Sequence, residues 1–118
     1  MPKALPVRDV TTPVCCAPLS AGAMNEDDAL EVALRLKALA DPVRLQLLTL
    51  IASAPTGEAC NCEMASAVGL TDATVSHHLK ALREAGLIIG ERRGTWMYYR
   101  SVPAALSALC RVLDPACC

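Results

Sequence analysis

The chain has no phenylalanine, and Trp96, Tyr98 and Tyr99 are its only aromatic side chains. Single-stranded nucleic acids are held largely by base stacking on aromatic platforms, so this scarcity argues against that function. It also leaves the core to Leu, Val, Ala and Ile. No run of about 18 apolar residues is present, which excludes a membrane-spanning helix on hydropathy grounds. The opening Met1-Pro2-Lys3-Ala4-Leu5-Pro6 lacks a secretory h-region. No membrane partner is expected, and the expected location is cytoplasmic.

Net positive charge is lacking too, since the formal value is −1. Its distribution is uneven. Residues 1–79 hold five Lys/Arg against nine Asp/Glu, whereas residues 80–118 hold six against three. The basic part is therefore one end of the chain, and double-stranded DNA remains an open partner. With 118 residues there is room for one domain, whose core is small enough that self-association is a natural way to bury more apolar surface.

What the chain has in excess is cysteine, seven in all: Cys15, Cys16, Cys60, Cys62, Cys110, Cys117 and Cys118. In an oxidising compartment such a count suggests a disulfide framework. Without an export signal, and with adjacent pairs that rarely bridge internally, a thiolate metal site is the better reading.

The stretch from Asn61 to Val102 organises the rest. Glu63 to Val68 is a short apolar-periodic helix, Gly69-Leu70 stops it, and Thr71-Asp72 signals the cap of the next. The second helix runs from Asp72 to about Ala85. Val75, Leu79 and Leu82 at i, i+4 and i+7 form its buried face, which turns Thr74, Ser76, His77 and Lys80 to solvent. That exposed face is small and polar, as a helix entering a DNA major groove requires. Leu87-Ile88-Ile89 and Thr95 to Tyr99 then flank the polar tip Glu91-Arg92-Arg93-Gly94 and predict a β-hairpin that presents two arginines. The fold class is mainly α with a β-hairpin wing (α+β), a winged helix-turn-helix.

Residues 1–25 carry four of the eight prolines and no periodicity, so they are expected to form a flexible arm that contains Cys15 and Cys16. The domain proper spans 26–114, and 115–118 is a cysteine-containing tail. Asn25 caps a first helix from Glu26 to about Leu39, with Leu30, Ala33, Leu34 and Lys37 on one stripe. Asp41-Pro42 starts a second helix, ending near Ala52, in which Val43, Leu45, Leu47, Leu48 and Ile51 are assigned to the core. After the hairpin, Pro103 starts a last helix with a stripe of Leu106, Leu109, Cys110 and Leu113 suited to pairing across a two-fold axis.

Asn61 is expected to cap the first helix of the helix-turn-helix, placing Cys60 just before it and Cys62 in its first turn. Unpaired N–H groups there favour the thiolate, the species that binds metal. Residues i and i+2 of a regular helix point about 200° apart, so the two sulfurs converge only if the backbone is extended or unwound. Other segments must complete a site, and Cys15-Cys16 are the nearest candidates. Cys110, Cys117 and Cys118 are a candidate second thiolate site, or incidental.

Asp41-Pro42-Val43-Arg44-Leu45, Glu58-Ala59-Cys60-Asn61-Cys62-Glu63 and Thr74-Val75-Ser76-His77-His78-Leu79 resemble, in order and spacing, the ArsR/SmtB family of metal-sensing bacterial repressors. The likeness covers roughly residues 26 to 113. It implies a homodimer formed through the first and last helices that binds operator DNA and releases it when a metal or metalloid binds. The Cys-x-Cys is similar to the site of arsenite, antimonite, cadmium and lead sensors. The chain departs from the family pattern in having Asn61 rather than an aliphatic residue between the cysteines. It also has Ala65 where one arsenite-sensing subtype has a third cysteine, and its last helix lacks the His and carboxylates of the zinc-responsive subtype.

An all-thiolate site favours As(III) or Sb(III), with Cd(II) and Pb(II) next. The expected ligands are Cys15, Cys16, Cys60 and Cys62. Asp72, Thr74, Ser76 and His77 are assigned to bases, and Lys80, Arg92 and Arg93 to phosphate or the minor groove. Alternatives are a Cd(II)/Pb(II)-responsive repressor and a thiol-redox-sensing winged-helix repressor. An enzyme is not expected, because no general base accompanies a nucleophile and both histidines lie on the DNA face.

Overall fold

The computed structural model describes residues 10–114. Among these residues a short 3-10 turn (Leu19–Ala21) precedes five α-helices and a three-stranded sheet in the order α1 (Glu26–Leu39), α2 (Pro42–Ala52), β1 (Ala59–Cys60), α3 (Asn61–Val68), α4 (Asp72–Glu84), β2 (Ile88–Arg93), β3 (Trp96–Ser101) and α5 (Pro103–Leu113). Local chemistry sets most of the boundaries. Asn25 accepts the Asp28 N–H at 2.8 Å at the start of α1, beside three acidic residues that complement the helix dipole. Asp41 accepts the N–H groups of Val43 and Arg44 ahead of Pro42, and those bonds, that from Arg44 first, hold its carboxyl below the usual range.

The helix-turn-helix is fixed at both of its C-terminal ends by the same device. After α3, Leu70 N–H bonds the Ala65 carbonyl and Gly69 N–H that of Ser66; after α4, Leu87 N–H bonds Leu82 and Gly86 N–H bonds Arg83. Both are Schellman motifs, with Gly69 at φ +69° and Gly86 at φ +74°, a conformation that favours glycine. Between them Thr71 Oγ1 accepts the Thr74 N–H and starts α4.

Val75, Leu79 and Leu82 are fully buried, as the spacing requires, together with Leu47, Ile51, Met64, Leu87 and Ile88. The sheet is antiparallel in the order β1-β3-β2. The hairpin strands run further than the sequence indicates. Glu91, Arg92 and Arg93 pair with Tyr98, Met97 and Trp96, and only Gly94 and Thr95 form the tip. β1, two residues long, was hidden from periodicity by its length.

Two expectations are corrected. Leu45 is not core but 48% exposed and Val43 is only half-buried, while Leu47, Leu48 and Ile51 are buried as expected. On α1 the face buried within the chain is Val32, Arg35 and Ala38, and on α5 it is Ala105, Leu109 and Val112. Leu30, Leu34, Leu106 and Cys110 are only half-buried, and Leu113 is exposed. The stripes singled out from sequence lie largely beside these faces, as residues left for pairing with a second copy would. Finally, residues 10–16 do not behave as a free arm. Val10 and Val14 are buried, and Arg35, 2% exposed, donates to the Thr12 carbonyl at 2.6 Å. Residues 1–9 of the arm and the 115–118 tail, with Cys117 and Cys118, lie outside the described residues.

Candidate thiolate site and nucleic-acid interface

The Cys-x-Cys turn is built by a change of backbone state. Cys60 ends β1 in an extended conformation (φ −83°, ψ 143°), and Cys62 lies in the first turn of α3. The geometric condition for convergence is met: the two sulfurs are in bonding contact as a disulfide, with Cα atoms 5.3 Å apart. Cys60, rather than Asn61, is the helix cap, its sulfur accepting the Cys62 N–H at 3.4 Å. Asn61 faces the wing instead, its Oδ1 accepting the Met97 N–H at 3.2 Å. Cys60 is buried and Cys62 half-buried. Reduced, this pair offers two soft donors on one side of a helix N-terminus, a donor set that suits a thiophilic ion.

The arm cysteines do not join it within one chain. Cys15 is exposed, and Cys16 sits against α1 with its sulfur 4.0 Å from the Asp28 carbonyl. Burial, followed by the charges of Asp28 and Glu31, pushes the Cys16 thiol up. Among the described residues no three His, Cys, Asp or Glu side chains converge as a metal site. Cys110 is half-buried on α5 and already has a partner, while the rest of the candidate second site, Cys117 and Cys118, is outside the described residues.

On α4 the outward face carries Asp72, Thr74, Ser76, His77 and Lys80, all exposed. Lys80 makes only a loose contact with Glu84, at 3.9 Å. His78 turns sideways, its Nδ1 accepting from Arg44 Nε at 3.2 Å, which links α4 to α2. The two wing arginines differ. Arg92 is exposed, whereas Arg93 is held by Glu58 through both guanidinium nitrogens, one at 2.9 Å, by Glu91 at 3.1 Å, and over the Tyr98 ring at 4.7 Å. The guanidinium keeps the Glu58 carboxyl below its usual range, and the two carboxylates raise Arg93 further. Sequence spacing could not reveal this pair, since its members are 35 residues apart.

Residues 41–89 match the family described as bacterial regulatory protein, arsR family. The chain is 45% identical over 67 residues to the arsenic resistance transcriptional regulator ArsR1 of Pseudomonas putida, covering 57% of this chain and 51% of that relative. It is 34% identical over 80 residues to the arsenical resistance operon repressor of Escherichia coli, covering 68% of this chain and 67% of the repressor. The matched region thus spans about half the length of the first relative and two thirds of the second. Among solved structures it is similar to the AntR antimony-specific transcriptional repressor, with a TM-score of 0.61 and 31% identity, covering 80% of this chain and 87% of that one. It is also similar to a homodimeric winged helix-turn-helix DNA-binding domain from Mycobacterium bovis, with a TM-score of 0.60 and 37% identity, covering 75% and 82%. Architecture, matched region and relatives agree: this chain is a winged helix-turn-helix protein and belongs to the ArsR family of bacterial regulatory proteins.

Proposed function

We propose that the protein is a homodimeric repressor that binds operator DNA through α4 and the β2–β3 wing and lets go when As(III) or Sb(III) is held by cysteine thiolates. The observation that carries this reading is the convergence of Cys60 and Cys62 at the foot of the helix-turn-helix. As(III) takes three thiolates and supplies strong, soft bonds that draw its donors together; a fourth donor would suit Cd(II) or Pb(II). Cys15 and Cys16 are the remaining donors. Cys16 lies beside α1, and among the described residues no third donor joins Cys60 and Cys62, which supports a site completed by two chains, the arm of one protomer meeting the cysteine pair of its partner.

The half-buried and exposed apolar residues left on α1 and α5, Leu30, Leu34, Leu106 and Leu113, support dimerisation through those helices. Asp72, Thr74, Ser76 and His77 read bases, and Lys80 and Arg92 contact phosphate. A coupling of about 1 to 3 kcal/mol between thiolate ligation and DNA binding lowers operator affinity about 5- to 150-fold.

A second reading, a thiol-redox sensor, is favoured by the same Cys60–Cys62 contact, because the pair closes a disulfide without help from another segment. An anaerobic, fully reduced gel-shift series against As(III), Sb(III), Cd(II), Pb(II) and Zn(II), with an oxidant arm in parallel, tests both. Release by As(III) or Sb(III) with all thiols reduced supports the proposed function. Release by oxidant alone replaces it with the redox reading.

A further inference from the structure

Two side-chain links run from the cysteine turn to the wing, and thiolate chemistry requires neither. β1 pairs with β3 through Ala59 opposite Tyr99 and Cys60 opposite Tyr98, so the next rung would set residue 61 opposite Met97. The chain turns into α3 at that point. Asn61 Oδ1 nevertheless accepts the Met97 N–H, continuing the ladder with a side-chain oxygen where the backbone leaves it. An aliphatic residue between the cysteines has no such oxygen.

Glu58, two residues before Cys60, supplies the other link. It holds both guanidinium nitrogens of Arg93 at the outer end of β2, and that guanidinium lies over Tyr98, the residue paired with Cys60. An exposed ion pair contributes little stability by itself, but a two-pronged one fixes orientation. With two anchors, on residues 58 and 61, the hairpin cannot keep its angle if the segment between them turns.

We propose that the wing is the element that reads the cysteine pair, with Glu58 and Asn61 as the positioning residues that transmit the reading. Both links stand with the Cys60 and Cys62 sulfurs in contact; opening that contact to the dithiol, or spreading it onto a common ligand, reorients residues 58–62 and through the two links moves β2 and β3. Arg93 is then a strut of the wing, and Arg92 is its phosphate contact. This deepens the proposed function and rests on it only for the identity of the inducer.

Trp96, the single tryptophan, opens β3 beside Met97 and opposite Arg93, and at 46% exposure it reports on the wing. The full chain, reduced and anaerobic, is loaded with arsenite, with occupancy followed by the thiolate–arsenic absorption band. In a parallel sample the pair is closed with diamide, which takes two electrons and two protons from the two thiols; closure of Cys60 to Cys62 is mapped by mass. Both treatments are expected to change the Trp96 emission. In the Glu58→Gln/Asn61→Ala variant the change is expected to fall to about a third or less, with arsenite affinity within about twofold of the parent.

Glu58→Gln alone, at a surface ion pair, keeps the fold intact and is expected to give an intermediate loss. The inference is overturned if the variants respond as the parent does, or if full loading or closure leaves Trp96 unmoved in the parent. Should arsenite fail to bind while disulfide closure still moves Trp96 in the parent and not in the variants, the arsenite reading falls and this one stands.

Discussion

Arg35, on the inner face of α1, donates to the Thr12 carbonyl at 2.6 Å and, through its other nitrogen, to Glu31 at 2.9 Å. A buried arginine thus fastens the segment that carries Cys15 and Cys16 to the body of the domain. The same segment crosses the end of α4, where a Cβ on Gly86 would lie 2.4 Å from the Thr11 carbonyl oxygen. The arm therefore touches both α1 and the turn that ends α4.

Replacing this fastening frees the arm. Arg35→Ala is expected to lower unfolding stability by about 1.5–3 kcal/mol, the worth of hydrogen bonds made by a charged group, read by urea titration. Amide exchange over residues 10–16 is expected to rise with it. Gly86→Ala, which combines a positive φ with the collision at Thr11, is expected to expose the same segment by another route. Unchanged exchange in both variants would show that the arm is held by something else.

The exposed face of α4 and the wing separate sequence reading from charge. Ser76→Ala or His77→Ala is expected to cost about 1–3 kcal/mol on the cognate duplex and almost nothing on random DNA. Lys80→Ala or Arg92→Ala is expected to weaken both, and to reduce the slope of log affinity against log salt by about one. Fluorescence anisotropy across a salt series distinguishes the two classes. Equal losses on both duplexes for Ser76→Ala and His77→Ala would remove them from base recognition.

A mixed dimer tests where the thiolate site is completed. One subunit carries Cys15→Ser and Cys16→Ser, the other Cys60→Ser and Cys62→Ser. A site shared between protomers leaves one intact set per mixed dimer, so arsenite is expected to bind at about half the parental stoichiometry. Sites built within each subunit would leave none.

Much of this was legible from sequence because it is local. The Val75, Leu79 and Leu82 spacing, the Asp41-Pro42 and Thr71 caps and the Gly69 stop each act over one or two helical turns, and all four features hold in the structure. Convergence of Cys60 and Cys62 was legible only as a condition, since the extended state of Cys60 follows from β1, a two-residue strand held by the distant Tyr98 and Tyr99. Asn61 misled because an asparagine before a helix is a good cap in general; here its amide bonds Met97, and the preceding sulfur caps. Arg93 looked like a free cation for want of knowledge that the wing folds back on Glu58. Burial of Arg35 was illegible for the same reason: its carbonyl partner lies 23 residues away in a stretch with no periodicity.

The most direct measurement is operator affinity, by anisotropy in an anaerobic reduced sample, for the parent protein and for Cys60→Ser, each with and without saturating arsenite. The parent is expected to lose about 5- to 150-fold in affinity when arsenite is added. Cys60→Ser is expected to hold DNA as the parent does without arsenite, which also shows that it is folded, and to keep holding it when arsenite is present. A parent that grips its operator equally in both conditions, or a Cys60→Ser variant that releases it as the parent does, would contradict the account.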